Sequence, residues 1–469
     1  MSTYTLPTAA ATMPLTRTRT RVTATGWWAG ATATIWGTSL FVVALWVAGG
    51  GLSDLVAGPG PLLDSLGRIT GLVAANLLLY QVLLMARVPL FERGFGHDGI
   101  TRMHRLVGFW SLWLMLAHVI LITVGYAWPS GAVITEFVSL TLTYPGMLIA
   151  LAGTVAIIAV AITSMRAARR RLRYESWHLL HLYGYIGVGI ALPHQLWTGS
   201  DFLTSPTATA YWWALWALTA VAVIVFRVLV PILRNRTWQL RVAGVERSGP
   251  DAVTLTIAAR PGVTVPVTSG QFFIWRVPGG PGRLRGTPLS VTRDPDGSMR
   301  VTARVTGSET ARLARLNPGD RLWAEGPFGT LTAQRRRHPR TVMFGAGSGV
   351  SPLVAILESE RLHPGEAVLV TRDHAPGSGV MPVRVQRLVD DRGVRVFALD
   401  GRRSPADGSW LPARYAATPP DAMLTHLAGS LSDTDVFIVG PPAWSAALKR
   451  DLRAAGVARA DIHTENFAI

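Results

Sequence analysis

Four histidines lie in apolar stretches where an imidazole is out of place: His104 and His118 in one, His181 and His194 in another. Ionisable side chains in hydrocarbon are costly, and they are kept there for ion paths, proton relays or cofactors. The pairs are 14 and 13 residues apart. On a helix those gaps are about 21 Å and about 19.5 Å of rise, enough to stack two sites across a bilayer. Two histidines opposite two others, at two depths, form a donor set for two b-type haems held by bis-imidazole ligation. The expected pairs are His104 with His181 on the inner side and His118 with His194 on the outer side. The 14-residue pair falls within about 40° of one helix face, whereas the 13-residue pair is offset by roughly 140° on an ideal helix. Gly184, Gly187, Gly189 and Pro193 lie between His181 and His194, so a distorted helix is expected there. His178 is the rival ligand to His181. The alternative is a bundle in which these histidines merely hydrogen-bond.

Such a set needs membrane helices to hold it. Apolar runs at about 27–50, 66–87, 104–126, 140–165, 177–197 and 209–232 are each long enough for a hydrocarbon core of about 30 Å. Trp27, Trp28, Trp128, Trp197, Trp212 and Trp213 lie near their ends, where aromatic belts form. Connections 51–65, 127–139 and 198–208 contain no Lys or Arg, while the alternate ones carry Arg87, Arg93, Arg102, Arg105, Arg166, Arg169, Arg170, Arg171, Arg173, Arg234 and Arg236. The basic side is cytoplasmic. Residues 1–25 then read as a disordered cytoplasmic arm rather than a signal peptide, 26–232 as a six-helix membrane domain, and both termini as cytoplasmic in a multi-pass protein of the cell membrane. Arg102, Arg105 and Arg173 are placed to neutralise inner haem propionates.

Composition narrows the chemistry. The 469 residues contain no cysteine, which excludes disulfides, thiolate-ligated haem, Fe–S clusters and a cysteine nucleophile. The formal charge is +17. The cations flank membrane spans and no nucleic-acid reader motif accompanies them, so the partners expected are a lipid bilayer and anionic cofactors, not nucleic acid.

After residue 232 the composition becomes that of a soluble protein. Residues 237–335 alternate as an antiparallel β-barrel, with Val253–Ile257 and Met299–Val305 as its clearest strands. Residues 336–469 read as α/β, with apolar strands Thr341–Phe344, Ala367–Thr371 and Val436–Val439. The first of these runs into Gly345-Ala346-Gly347-Ser348-Gly349-Val350-Ser351-Pro352, ahead of a helical stretch. Glycines at Gly345, Gly347 and Gly349 let backbone N–H groups approach a pyrophosphate at a helix N-terminus. A plain glycine turn is the alternative. A second turn, Gly440-Pro441-Pro442, follows the last strand, and ligands of open α/β sheets bind at the carboxyl ends of strands.

These residues together resemble the ferric reductase/NADPH oxidase family, in which six haem-bearing helices are fused to a ferredoxin-reductase-like module for FAD and nicotinamide nucleotide. The resemblance covers about residues 65–469. The 14- and 13-residue histidine spacings match, and Tyr174 through His181 looks like the family's entry to the fifth helix. Gly270-Gln271-Phe272 resembles the strand before the flavin motif, and Thr287-Pro288-Leu289-Ser290 stands in that motif's place. Arg304 through Thr310 resembles the next flavin-contacting stretch. Gly326-Pro327-Phe328-Gly329 is similar to the Gly-Pro-aromatic-Gly turn, and Gly345–Pro352 and Gly440–Pro442 to the nucleotide-binding loops. His463 through Phe467 is similar to the C-terminal segment whose aromatic covers the flavin. The resemblance implies that Ser290 meets flavin N5 and that Phe467 caps the ring. It implies two b-type haems, FAD, and NADPH or NADH. Three departures stand out. Thr287 replaces a basic residue, Leu289 an aromatic one and Val439 a cysteine, so weakly held FAD is expected.

The resulting expectation is an NAD(P)H-dependent transmembrane oxidoreductase that passes electrons through FAD and two haems to oxygen or a ferric chelate outside. Arg372, Arg402 and Arg403 are candidates for a 2′-phosphate, with solvated surface arginines as the alternative. Donation to a separate extracytoplasmic redox protein, and a haem-binding sensor with a degenerate flavin site, are the other readings. A nucleotide-gated transporter leaves the flavin-like motifs unexplained. Oligomeric state is not specified by the sequence.

Overall fold

The computed structural model describes residues 24–165, 168, 174–203, 205–249, 251–279, 282–283, 285–402 and 408–465. The membrane half contains α1 (Ala24–Ala48), α2 (Pro59–Leu84), α3 (Pro89–Ala127), α4 (Val133–Thr143) and α5 (Met147–Ser164). After these come α6 (Tyr174–Ile190), α7 (Leu192–Trp197), α8 (Pro206–Ala222) and α9 (Val230–Trp238), with a π-helical turn, Val223–Leu229, joining the last two. Proline opens α2, α3 and α8, where its fixed φ suits a first turn and its missing N–H costs nothing. Ser205 caps α8 by accepting from Ala208 N at 3.2 Å. Gly96, at φ 66°, kinks α3.

Among the described residues, five helices are long and apolar enough to cross a membrane: Gly26–Ala48, Pro59–Leu84, Gly99–Ala127, Met147–Ser164 and Pro206–Trp238. The stretch expected as a further crossing, 177–197, is divided between the 17-residue α6 and the 6-residue α7. Pro193 explains the division, because it removes a helix hydrogen bond and its ring crowds the preceding turn. Helices α5 and α6 approach closely at Gly153 and Gly187. A Cβ on Gly153 would lie 2.7 Å from Gly187 O, and one on Gly187 3.0 Å from Gly153 O. Small residues at such a crossing let backbones pack where lipid gives no hydrophobic drive.

Beyond α9 come two sheets. The first contains β1 (Arg241–Arg247), β2 (Ala252–Ala258), β3 (Phe272–Arg276), β4 (Thr287–Arg293), β5 (Met299–Arg304) and β6 (Trp323–Phe328). Every pairing in it is antiparallel, in the order β1-β2-β5-β4-β3-β6. Its two edges meet just before β6, where Leu322 N donates to Leu240 O and Val242 N to Asp320 O. Ile257, Phe273, Trp275, Val291 and Met299 fill its interior.

The second sheet contains β7 (Arg340–Ala346), β8 (Ala367–Arg372), β9 (Arg395–Ala398), β10 (Thr434–Val439) and β11 (Ile462–Glu465). All are parallel, in the order β11-β10-β7-β8-β9. Strand β10 is buried throughout, as expected for a parallel strand covered on both faces. Helices α11 (Val350–Ser359), α12 (Pro382–Arg392), α13 (Pro420–Ala428) and α14 (Pro442–Ala454) flank it, while α10 (Ser308–Leu313) follows β5.

One charge interrupts the β10 core. Asp435 is fully buried. Its carboxylate accepts from the N–H groups of Arg337 (2.6 Å) and His338 (2.7 Å) and contacts His463 Nε2 at 2.7 Å. It therefore pins the link between the two sheets to the amino end of the second. Burial pushes the His463 imidazole below its ordinary value, against the pull of Asp435. A depressed folded-state value means that folding favours the neutral ring. The stability this confers is present above about pH 6.5 and is lost as pH falls through the folded value. Thermal unfolding should therefore move to lower temperature between about pH 7.5 and about pH 5.5, and less so in His463→Gln. An unchanged pH dependence in that variant would remove His463 from the explanation.

Candidate functional site

In the membrane half, the histidines are presented by α3, α6 and α7. His104 and His181 face one another with ring centroids 5.9 Å apart. Two imidazoles bonded to one metal through Nε2, at about 2 Å each, place their ring centroids on the order of 6 Å apart. His118, further along α3, and His194, on α7, lie within electrostatic reach of each other. The α6–α7 division at Ala191 separates His181 from His194, the place where an ideal helix puts the two on different faces.

Each ring is held at Nδ1. His104 meets Gln81 O at 3.2 Å and His118 meets Gly67 O at 2.8 Å. His194 meets Ala191 O, and His181 meets Ser164 Oγ at 3.2 Å, a hydroxyl that accepts from Trp177 Nε1 at 3.3 Å. A carbonyl can only accept, so three of the rings carry their proton on Nδ1 and leave the Nε2 lone pair for a metal. Such partners fix tautomer and orientation in metal-binding histidines. Among the described residues no group of three or more His, Asp or Glu could hold a metal ion. A bis-imidazole site needs only two.

Sequence reasoning missed these holders. Gln81 and Gly67 act through backbone carbonyls on α2, a helix with no histidine. Gly71 is the most telling. A Cβ there would lie 2.5 Å from His118 Nδ1 and 2.8 Å from its Cε1, so α2 leaves a notch for the imidazole. The four-residue spacing of Gly67 and Gly71 was the available signal. Arg227, on the π-helical turn, lies 5.8 Å from the Tyr185 ring, donates to Met85 O at 3.4 Å and is within reach of His181. Insertions of this kind often mark functional positions. Of the arginines expected near the inner site, Arg102 stacks on Trp28 at 5.8 Å and Arg105 bonds Thr101 O. Arg173, and the side chain of His178, lie outside the described residues.

In the first sheet, Thr287, Pro288, Leu289 and Ser290 open β4, with Ser290 opposite Phe272 of β3. Ser290 is 7% exposed and its Oγ has no hydrogen-bond partner. Buried hydroxyls are rarely left unpaired without a reason, and an orphan here suits a flavin nitrogen. Leu289 packs on the sheet's core. Gly326, Pro327 and Phe328 end β6 and Gly329 follows it, and Phe328 meets Phe272 at 5.7 Å. Thr310 is spent locally: its Oγ1 accepts from Thr306 N and Gly307 N at the start of α10. Arg304 is tied to Asp251 (3.2 Å), Asp373 (3.6 Å) and Ser378 O, and its guanidinium lies beside Gly347. It therefore points at the nucleotide loop rather than along β4.

The second sheet brings the two predicted loops together. Strands β7 and β10 are neighbours, and their carboxyl ends carry Gly345–Gly349 and Gly440–Pro442. The chain order reverses on either side of β7, which makes this the switch-point crevice of an open parallel sheet. A Cβ on Gly349 would lie 2.3 Å from Val439 O, and one on Gly440 2.9 Å from Ala346 Cβ. Gly347 has φ 57°. Helix α11 starts here, with Pro352 in its first turn and Ser351 Oγ buried and unpartnered. Arg372 is 7% exposed and its guanidinium donates to Asp373 O, so it points inward and not into the crevice. Arg402 is exposed, while Arg403 and Phe467 lie outside the described residues.

Residues 70–192 match the family described as ferric reductase like transmembrane component. The chain is also similar to reductases. It is 24% identical over 224 residues to the ferredoxin reductase component of a 3-ketosteroid-9-alpha-monooxygenase from Rhodococcus rhodochrous, covering 46% of this chain and 58% of that one. Within residues 70–192 the chain therefore carries a ferric-reductase-like transmembrane component. A further relative is the probable electron transfer subunit of a dihydroorotate dehydrogenase B (NAD(+)) from Methanopyrus kandleri, 31% identical over 108 residues, covering 23% of the chain and 39% of the relative. The chain thus spans less than two thirds of either relative. A ferredoxin NADP+ reductase from Neisseria gonorrhoeae, solved with FAD and NADP, is 20% identical over 49% of the chain and 98% of its own, with a TM-score of 0.40, too low to argue from. The matched transmembrane component and the apolar helices together make this a multi-pass membrane protein.

Proposed function

We propose that this protein is a membrane oxidoreductase that draws electrons from NAD(P)H on the cytoplasmic side and delivers them to an acceptor outside. The paired rings of His104 and His181, 5.9 Å apart and each held at Nδ1, carry the reading. Bound FAD and two b-type haems supply the conversion of one hydride into two single electrons and their carriage across the bilayer. The balance is two electrons and a proton given up as NAD(P)H becomes NAD(P)+, and two electrons delivered outside to oxygen or a ferric chelate.

The protein's part is holding and shaping. His104 with His181, and His118 with His194, hold the haems, the sixth crossing being α6 and α7 together. Gln81, Gly67, Ala191 and Ser164 keep their imidazoles aimed. Arg227 supplies positive charge beside the inner pair. Thr287–Ser290 and Gly326–Gly329 flank the flavin, with Phe467 as its cap. Gly345, Gly347, Gly349 and Pro352, facing Gly440, Pro441 and Pro442, cradle the nucleotide's pyrophosphate, with Arg304 beside them. Both termini lie in the cytoplasm and the protein sits in the cell membrane, the arginine-rich connections setting that orientation.

The test is anaerobic. NADH or NADPH is added to purified protein supplied with FAD, and the haem spectrum is followed. Reduction by nucleotide is expected. Haem that stays oxidised with nucleotide yet is reduced by dithionite would sink the reading in favour of a haem-binding sensor. Ser290 gives a narrower check. Deleting an unpaired buried hydroxyl leaves flavin-free protein within about 0.5 kcal/mol of its original stability, while flavin affinity falls about five- to tenfold. Equal FAD retention by Ser290→Ala would take Ser290 out of the flavin site.

A further inference from the structure

Strand β6 is an edge of the first sheet, and the membrane half takes hold of it at three successive residues. Asn235 of α9 pairs with Ala324 in both directions: its Nδ2 donates to Ala324 O at 2.9 Å, and Ala324 N donates to its Oδ1 at 2.8 Å. Glu325 forms an ion pair with Arg87, from the link between α2 and α3, and another with Arg276 of β3 at 2.8 Å. Gly326 O accepts from Arg234 Nη1 at 2.6 Å. The Arg87 guanidinium also lies 5.1 Å from the Phe328 ring centre. The held residues run straight into the Gly326–Gly329 turn.

Both grips are continuous with the histidine scaffold. Arg87 is six residues beyond Gln81, the holder of His104. Helix α9 ends the Pro206–Trp238 span that carries Arg227. Arg87 adopts φ 65°, a left-handed conformation that a long side chain takes only when its surroundings compel it. Beside the contact, a cavity of about 790 Å³ separates the halves, lined by Trp27, Arg87, Phe226, Arg234, Gln271 and Phe328. On the α9 side Trp238 packs into the sheet's core, its ring 5.9 Å from that of Phe273, so apolar packing anchors that helix; on the α2–α3 side the contact is the polar grip of Arg87 on Glu325, which sets how that side meets β6. Glu325 is 8% exposed, and breaking a buried ion pair strands a charge.

We propose that Glu325 and Arg87 are a positioning pair. They fix the flavin half against the His104–His181 site and so set the rate of single-electron transfer between them, leaving hydride transfer from nucleotide untouched. This rests on the electron path proposed above.

The experiment compares Glu325→Gln, Arg87→Gln and the double variant in the full chain with FAD and haem present. Flavin bleaching and haem reduction are followed separately by rapid mixing. Bleaching should keep its rate, and haem reduction should slow about tenfold, equivalent to about 1.4 kcal/mol of docking. The double variant should be no slower than the singles, because the two side chains act as one contact. Slowing of both steps together, or of neither, would overturn the proposal. A second readout needs no electron flow. Amide exchange at Ala324, whose N–H is held by Asn235, should quicken in either single variant, and unchanged exchange would also overturn it. Unmodified protein in which nucleotide reduces neither group would refute the electron path itself, a result separate from the exchange measurement.

Discussion

Gly71→Ala is expected to cut haem content from two per chain to one, although no ligand is altered. The added methyl carbon would lie 2.5 Å from His118 Nδ1, 2.8 Å from Cε1 and 2.9 Å from Cγ. The ring cannot swing aside without giving up its 2.8 Å contact with Gly67 O. The backbone of α2 cannot retreat either, because Gly67, one turn earlier, already packs against Ile122 of α3 at a distance that a Cβ would reduce to 2.8 Å. Overpacking of this kind typically costs about 1–3 kcal/mol, and the cheapest relief is to turn the imidazole away from the site. His118→Ala should give the same stoichiometry, while the pair formed by His104 and His181 survives in both. The haem-to-protein ratio and the low-spin signal of the remaining group are the readouts. Two haems retained with an unchanged spectrum in Gly71→Ala would mean that His118 is not an axial ligand.

The second large effect is at the nucleotide loop. Gly349→Ala should slow nucleotide-driven flavin reduction by about a hundredfold or more, the scale on which displacements of about 1 Å act, and leave dithionite reduction intact. The new Cβ would lie 2.3 Å from Val439 O and 2.8 Å from its carbonyl carbon. Both are backbone atoms, so no side-chain rotation relieves the clash. The first turn of α11 must move off β10, which opens the crevice where pyrophosphate would bind. Gly347→Ala is the contrast. Its Cβ would meet only the Arg304 guanidinium, at 4.0 Å, and the cost is the strain of φ 57°, about 1–2 kcal/mol. Near-normal flavin reduction in Gly349→Ala, within about threefold of the parent, would dissociate this loop from nucleotide binding.

What the sequence revealed and what it hid follow from the range of the forces involved. The order of elements after residue 240 and the strand–loop–helix at Gly345–Pro352 are consequences of periodicity and turn chemistry, which act over a few residues. The partners of the four histidines are not. Gln81 and Gly67 contribute carbonyl groups, which every residue possesses, and only helix packing selects theirs. Arg372 illustrates a different limit. At the end of β8 a side chain points either into the crevice or under the sheet, and composition does not distinguish the two, so a residue expected at a phosphate turns inward to Asp373 O. Thr310 is likewise absorbed in starting α10. The grip on β6 was hidden because Arg87 and Glu325 are 238 positions apart in the chain and each taken alone reads as an ordinary surface charge.

Transmembrane delivery is tested most directly in sealed vesicles. Protein carrying FAD and haem is reconstituted with its soluble half outward, an impermeant ferric chelate is trapped inside, and NADH or NADPH is added outside without oxygen. Reduction of the trapped chelate is predicted, with its loss in both His118→Ala and Gly71→Ala. Flavin that bleaches while the trapped chelate stays oxidised, with an external chelate reduced instead, would contradict the account.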